Sequence, residues 1–227
     1  MLPIGSLVNA GAIIAGSLIG LRLHGKFPER ARTLVFQALG LCVMVIGLQM
    51  ALKMDRPLLV IFSLIIGGVL GELARIDAGL ERIAQQVKAM AKSKNSLFTD
   101  GLVTASLIYC IGSMAILGAF DEGLRGDPSL LYTKAMLDGF ASIALASTYG
   151  AGVLFSFIPV LVYQVSLTVL AGFLQPFFTD QLITQITAVG GILIVGIGVN
   201  LLDILTIRLS NLLPSLVVVV LLSLIVG

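Results

Sequence analysis

Eight apolar stretches, separated by short polar segments, run along the chain, and each is close to the length of a membrane-crossing helix. A helix needs about 20 mostly apolar residues to span the hydrocarbon core of a bilayer. The stretches are Ile4–Leu21, Thr33–Leu52, Leu58–Leu73, Phe98–Leu117, Leu131–Thr148, Val153–Gln175, Ile183–Leu202 and Leu212–Val226. The pattern predicts an all-α polytopic transmembrane helix bundle of about eight helices, with residues 1–227 forming a single transmembrane domain.

One polar segment, Asp77–Lys92, has a helical period of its own. Its apolar residues recur three or four positions apart, while its charged residues lie mostly off that stripe. The apolar stripe consists of Leu80, Ile83, Ala84, Val87 and Met90. This spacing predicts an amphipathic helix on the cytoplasmic membrane surface. A simple surface connector fits the same pattern.

Composition excludes several classes of protein. Hydrophobic residues make up 58% of the chain and charged residues 11%, whereas a soluble domain carries roughly 25% charged residues. A soluble globular domain and a disordered chain are therefore excluded. The net charge is only +2 and no basic stripe stands beside aromatic residues, so a nucleic-acid partner is not expected. The expected partners are the lipid bilayer and a small solute or ion.

The loop charges orient the predicted bundle. Of the 14 Lys and Arg residues, ten lie in the odd-numbered loops. Because Lys and Arg favour the cytoplasmic side, the first and third loops are expected inside the cell. With eight spans, both termini then face outward.

The region that follows Pro128 contains a predicted break. The apolar run continues to Pro176 and is too long for one crossing at about 1.5 Å per residue. Gly150 and Gly152 mark the place where the helix breaks, near residues 148–153.

Glycine spacing indicates an inverted-topology repeat. The pair Gly40 and Gly47 recurs at the same spacing as Gly191 and Gly198, and Gly5 with Gly16 recurs as Gly101 with Gly112. The spans that match run in opposite directions, as in many secondary transporters. Chance is the alternative, because glycine is common in membrane helices.

Several motifs in order resemble a known family. They are Val8-Asn9-Ala10, Phe27-Pro28-Glu29-Arg30, Gln37–Val43, Gly71-Glu72, Asp138–Ser142, Ala146–Ser156, Tyr163-Gln164, Gly198-x-Asn200 and Asn211–Pro214. Together they resemble the YqgA/YdfK-type bacterial inner-membrane proteins, a domain-of-unknown-function family. The resemblance covers essentially the whole chain. It implies a multi-pass protein of the bacterial plasma membrane and no established reaction.

Asp138 is the strongest candidate for chemistry, because an ionisable side chain inside a span is costly unless it is paired or hydrated. Ser142 and Lys134 lie four residues away on the same helix face. Hydroxyls, a carboxylate and backbone carbonyls freed at the break would suit a hard cation such as Na⁺. The predicted cation or solute site comprises Asp138, Ser142, Ser147, Thr148, Gly150, Gly152 and Gln164. In the alternative, Lys134 merely neutralises Asp138 and the break is a plain turn.

Other polar residues fall inside or beside the spans. Asn9, Gln37 and Asn200 are predicted to line a polar path, or else to join helices by hydrogen bonds. Glu122, between Asp121 and Asp127, is expected in a solvated outer loop.

Motifs for enzymatic chemistry are missing from the sequence. His24 is the only histidine, and no metal-ligand or P-loop spacing occurs. We therefore expect no enzyme activity, no cofactor and no metal beyond a monovalent cation, with Na⁺ or H⁺ as the coupling ion. The small-residue faces Gly16–Gly20 and Gly67–Gly71 predict close helix packing, within the bundle or in a homo-oligomer.

The favoured hypothesis is a small secondary transporter or ion-conducting protein with its site at Asp138 and the broken helix. Asp138→Asn is then expected to abolish coupling while leaving folding largely intact. The alternative is a non-transporting membrane scaffold or sensor, which would act through the small-residue faces and the amphipathic helix.

Overall fold

The computed structural model describes residues 3–23, 29–90, 96–110 and 113–226, and over these residues the chain is helical, without a β-strand. The helices are α1 (Ile4–Leu23), α2 (Glu29–Ala51), α3 (Pro57–Ala74), α4 (Ile76–Met90), α5 (Phe98–Cys110), α6 (Ser113–Arg125), α7 (Ser129–Tyr149), α8 (Gly152–Phe155), α9 (Phe157–Leu174), α10 (Asp180–Leu201), α11 (Leu209–Leu212) and α12 (Pro214–Val226). The prediction of an all-α bundle is confirmed. Each predicted apolar stretch corresponds to one helix or to two consecutive helices.

Not every helix is long and apolar enough to cross a membrane alone. Within the described residues, four meet that condition: α1, α3, the α8–α9 run and α10. Helices α5 and α6, bent by 59°, make a fifth if they form one span. The apolar helices Gly40–Ala51 and Leu209–Ile225 are shorter, and α7 carries two charged residues, Lys134 and Asp138. The chain thus has several membrane-length helices, and eight crossings stay a prediction.

The chain divides into two compact units, each built from distant segments. One contains Met1–Thr33 and Ala84–Phe177, and the other contains Leu34–Ile83 and Phe178–Gly227. Hydropathy did not reveal this division, since it carries no information about which helices are neighbours. The prediction of a single domain over residues 1–227 is left untested.

In the first unit, α1 packs along α7 in the same direction. Glycines on α1 allow close approach of the two backbones, because a Cβ at Gly16 would overlap the carbonyl oxygen of Gly139. The contacts follow the same order along both helices, which are therefore parallel: Gly5 lies against Leu131, Gly16 against Gly139 and Gly20 against Ile143. The predicted small-residue face of α1 is therefore used inside the chain.

In the second unit, glycines join helices that run in opposite directions. Gly40 and Gly47 of α2 lie against Gly198 and Gly191 of α10. The Gly67–Gly71 face of α3 packs on Ser215 and Asn211. Since this face and the Gly16–Gly20 face are both covered by the same chain, a homo-oligomer would have to use other surfaces.

The predicted amphipathic helix is α4. It follows Arg75, which ends α3 in a left-handed conformation with φ 52°. Ala84 is buried in a small cluster with Phe98 and Leu102, and Met90, at the end of α4, is 83% exposed. The predicted continuation to Lys92 lies outside the described residues. The position of α4 relative to the cytoplasm stays a prediction.

Candidate functional site

A buried ion pair lies at the centre of the candidate site. On α7, Lys134 precedes Asp138 by one helical turn, and its Nζ lies 2.5 Å from Asp138 Oδ2. Both residues are 6% exposed. The spacing of four residues puts both side chains on one helix face, as the sequence indicated. The pair has no net charge.

Two amides from other helices join this ion pair. Asn9 of α1 donates from Nδ2 to Asp138 Oδ2 at 3.0 Å and to Gln164 Oε1 of α9 at 3.1 Å. Asn9 and Gln164 are fully buried. Three helices therefore meet at one continuous hydrogen-bonded cluster, which we call the α1–α7–α9 cluster: Asn9, Lys134, Asp138 and Gln164.

The cluster contains polar atoms that nothing in the described chain satisfies. Asn9 Oδ1, an acceptor, and Gln164 Nε2, a donor, are buried without a hydrogen-bond partner, as is Ser6 Oγ one turn earlier on α1. An unsatisfied buried polar group costs about 1–3 kcal/mol. Such groups call for an explanation, which can be a water, an ion or a ligand. The cluster thus offers one acceptor and one donor to a small polar molecule.

A second polar pair lies one turn beyond Asp138. The hydroxyl of Tyr109, a fully buried residue of α5, lies 2.7 Å from Ser142 Oγ. Lys134 Nζ lies 6.0 Å from the centroid of the Tyr109 ring, near the limit for a cation–π interaction. Ser142 therefore bonds to Tyr109. The sequence did not single out Tyr109, because a tyrosine among apolar residues is usually read as core.

Glu122 is a second buried acid and corrects a sequence-based expectation. It is 3% exposed, and its carboxylate accepts a hydrogen bond from the backbone N–H of Gly5 at 2.5 Å, with Thr168 Oγ1 at 3.5 Å. The expected solvated loop was wrong for Glu122 because α6 continues to Arg125. Backbone N–H groups in the first turn of α1 favour a negative charge there. The helical spacing of Ala115, Ala119 and Glu122 was the signal that could have revealed its burial.

The neighbouring acids reach solvent, as expected, although Asp121 lies within α6 and not in a loop. Asp121 pairs with Arg125 at 3.3 Å on an exposed surface. Asp127 accepts hydrogen bonds from the backbone and hydroxyl of Ser129, and these hold the pKa of its carboxyl below the usual range.

The break at residues 148–153 occurs where it was predicted but does not join Asp138. Helix α7 ends at Tyr149, and Gly150 has φ 80°, a conformation that favours glycine. Gly152 lies so close to the carbonyl of Phe98 that a Cβ would overlap it. The break is therefore a tight turn packed on α5.

The hydroxyls next to this turn bond within their own helix. Ser147 and Thr148 donate to the carbonyl of Ala144. Thr148 follows Asp138 by ten residues of continuous helix, or about 15 Å. Ser147, Thr148, Gly150 and Gly152 are thus separated from the α1–α7–α9 cluster, because residues close in sequence are far apart along a helix.

The predicted path residues do not share one environment. Asn9 belongs to the cluster, Gln37 is exposed, and Asn200 bonds through both ends of its amide to the backbone of Ile207, at 2.9 and 2.8 Å. Asn200 closes the turn that follows α10. These bonds give Asn200 a structural role, and its role in lining a path stays a prediction.

In the second unit, Asn211 links three segments. Its Nδ2 donates to Glu72 Oε2 at 2.7 Å, and its Oδ1 accepts from the backbone of Asp77 at 2.8 Å. Arg208 also bonds to Glu72, at 2.9 Å, on an exposed surface. Asn211 thereby fixes the end of α3 and the start of α4.

Asn211→Ala should reduce the free energy of unfolding by about 1–3 kcal/mol, because two part-buried hydrogen bonds of a buried side chain are lost. Arg208→Ala is the matched control and should cost at most about 1 kcal/mol, since exposed ion pairs contribute little. Unfolding of purified protein in mixed micelles with increasing denaturing detergent measures both values. Equal losses would show that Asn211 does not hold the two helices together.

Within the described residues, no group of three His, Cys, Asp or Glu side chains could hold a metal ion. The free cysteines Cys42 and Cys110 do not form a disulfide.

Comparisons with known proteins place the chain in a family without an assigned activity. It is 35% identical over 218 residues to the uncharacterized membrane protein YdfK of Bacillus subtilis, covering 94% of this chain and 93% of the relative. It is 28% identical over 225 residues to the uncharacterized protein YqgA of Escherichia coli K12, covering 97% and 96%. No solved structure matches the chain. Residues 4–224 match the family described as protein of unknown function DUF554, and the chain is a membrane protein that belongs to this family.

Proposed function

We propose that this protein is a small secondary transporter or ion-conducting protein whose binding site is the α1–α7–α9 cluster. The observation that carries the proposal is the pair of unpartnered buried atoms, Asn9 Oδ1 and Gln164 Nε2, beside a buried ion pair. Intramembrane ionisable groups are rare and mark ion or solute paths by default. A buried ion pair contributes little net stability, so stability alone does not account for this one.

The ion pair in the cluster makes a proton a better coupling ion than Na⁺. Lys134 already neutralises Asp138, so a coupling Na⁺ would have to displace the ammonium group from the carboxylate. A coupling proton on Asp138 would release Lys134 instead. The solute would use the acceptor on Asn9 and the donor on Gln164. A small polar solute without net charge fits this arrangement, and no cofactor is required.

We further propose that the protein lies in the bacterial inner membrane with both termini outside. In the eight-span topology, the first and fifth spans run in the same direction, whereas the second and seventh run oppositely. The parallel packing of α1 on α7 and the antiparallel packing of α2 on α10 support these relative directions, and the loop charges support the outward termini.

The inverted repeat is supported by the same glycines. If Gly40 is equivalent to Gly191 and Gly47 to Gly198, the contact between Gly40 and Gly198 is equivalent to the contact between Gly191 and Gly47. The two α2–α10 contacts are therefore related by the symmetry of the repeat. Inverted repeats of this kind are common in secondary transporters, so the contact pattern favours transport over a scaffold.

Gln164→Met tests the site. The substitution removes the unpartnered donor and keeps a side chain of similar volume, so the fold should survive. It also removes the acceptor Oε1, which holds Asn9 beside Asp138, so the coupling-ion site should be disturbed together with the solute site. Wild type should show a change in thermal stability when Na⁺ replaces choline or when the pH is changed, and Gln164→Met should lose it. A ligand at about 100 times its dissociation constant stabilises the folded state by roughly 2.7 kcal/mol.

Gln185→Met is the matched control. Gln185 of α10 is 2% exposed, and neither end of its amide has a hydrogen-bond partner, but it lies in the second unit. The Gln185→Met variant should keep the full response to Na⁺ or pH. If wild type responds to no cation and no pH change, or if both variants lose the response equally, the site is not at the cluster and the scaffold hypothesis gains weight.

A further inference from the structure

An apolar groove lies on the second unit, far along the chain from the cluster. It is formed between the first half of α3 and α12 and encloses about 490 Å³. Its walls are Leu58, Phe62 and Ile66 on α3 and Leu222 on α12, and Arg56 lies at one end. Leu58 is 71% and Phe62 53% exposed, so the groove opens to the surroundings of the helices.

The length of the groove matches one leaflet of a bilayer. From Arg56 to Ile66 the chain advances ten residues, or about 15 Å of helix. The hydrocarbon core of a bilayer is about 30 Å thick, so the groove is about as long as the space that one acyl chain occupies. Helix α3 is also long and apolar enough to cross a membrane.

The end of the groove at Arg56 carries an excess of positive charge. Arg56 is half-buried and directly precedes α3, and no ion pair involves it in the part of the chain that the structure describes. Lys53 is exposed nearby in sequence, and Asp55 is the one acid between them. Arginine binds phosphate through a planar fork of N–H donors. The local excess of positive charge therefore matches a negatively charged headgroup.

We propose that the groove binds an anionic phospholipid, with one acyl chain between α3 and α12 and the phosphate at Arg56. The apolar walls select a hydrocarbon chain, and Arg56 selects the charge of the headgroup. Basic sites beside membrane helices bind anionic lipids in this way. The inference does not depend on transport.

The test compares phosphatidylglycerol with phosphatidylcholine of the same acyl chains, titrated into purified protein in a neutral detergent. Wild type should show a saturable rise in melting temperature, with an apparent affinity for phosphatidylglycerol about fivefold higher. This ratio corresponds to about 1 kcal/mol for one basic residue near an anionic lipid. Arg56→Gln should reduce the preference to near unity, and Arg56→Lys should keep most of it.

Two further variants locate the bound lipid. Leu222→Trp should fill the groove and remove the response to both lipids, while the melting temperature without lipid stays near that of wild type. Arg125→Gln, an exposed arginine of the first unit, should leave the preference unchanged. The proposal is overturned if wild type does not distinguish the lipids, if Leu222→Trp still responds fully, or if Arg125→Gln loses the preference as Arg56→Gln does.

Discussion

Lys134→Met should destabilise the protein by about 3–5 kcal/mol, because it leaves the carboxylate of Asp138 buried without its cation. Asp138→Asn should be destabilising for the mirror-image reason, since it leaves a buried ammonium group unpaired. The double variant Lys134→Met/Asp138→Leu should recover most of the loss, as apolar residues of similar volume often replace a buried ion pair at little cost. Unfolding in mixed micelles measures all three free energies.

This result would change how Asp138→Asn is interpreted. The sequence alone favoured a variant that folds but does not couple. Since Lys134 is 6% exposed and bonds to Asp138, loss of function in Asp138→Asn would mix folding with binding. The double variant separates them, because it should fold and yet fail to respond to Na⁺ or pH. If Lys134→Met unfolds like wild type, the ion pair is not buried in the membrane-embedded protein.

Gly16→Ala should cost about 3 kcal/mol, the upper part of the range for overpacking a well-packed interior. Its Cβ would overlap the carbonyl oxygen of Gly139 on α7. A backbone atom cannot move aside as the end of a flexible side chain can, so α1 and α7 would have to separate. The separation would also pull Asn9 away from Asp138, and the response to Na⁺ or pH should fall with stability.

Gly11→Ala is the matched control on the same helix. Nothing lies within 4 Å of a Cβ at Gly11. Alanine favours a helix over glycine by about 1 kcal/mol, so this variant should be neutral or slightly stabilising. Thermal unfolding of both variants gives the comparison, and equal melting temperatures would contradict the close packing of α1 on α7.

Features that depend on neighbours along the chain were predictable. Apolar runs mark helices in a membrane because backbone polar groups must bond within the helix there. The helical period of Asp77–Lys92 predicted α4, which begins one residue earlier, at Ile76. The pairing of Lys134 with Asp138 followed from a spacing of four residues. The packing role of Gly16–Gly20 followed from the spacing of its small residues.

The composition of the site was predicted only in part. Asp138, Asn9 and Gln164 stood out as polar residues inside spans, but Asn9 is 129 residues from Asp138 and 155 from Gln164. Ser147 and Thr148 were grouped with Asp138 because they are near it in sequence. Glu122 was assigned to solvent because the apolar run ends before the helix does.

The membrane environment of this protein, its helices and the local pairs along them could be predicted from the amino-acid order, because hydropathy and helical period act over a few turns. Which helices meet could not be predicted in this way. The packing of the helices brought Asn9 to the carboxylate of Asp138 and Gln164 to Asn9, placed Glu122 against the start of α1, and left Asn9 Oδ1 and Gln164 Nε2 without partners. Those contacts depend on where glycines let two backbones approach. Close approach of two backbones depends on the surfaces of both helices, so it cannot be predicted from either helix alone.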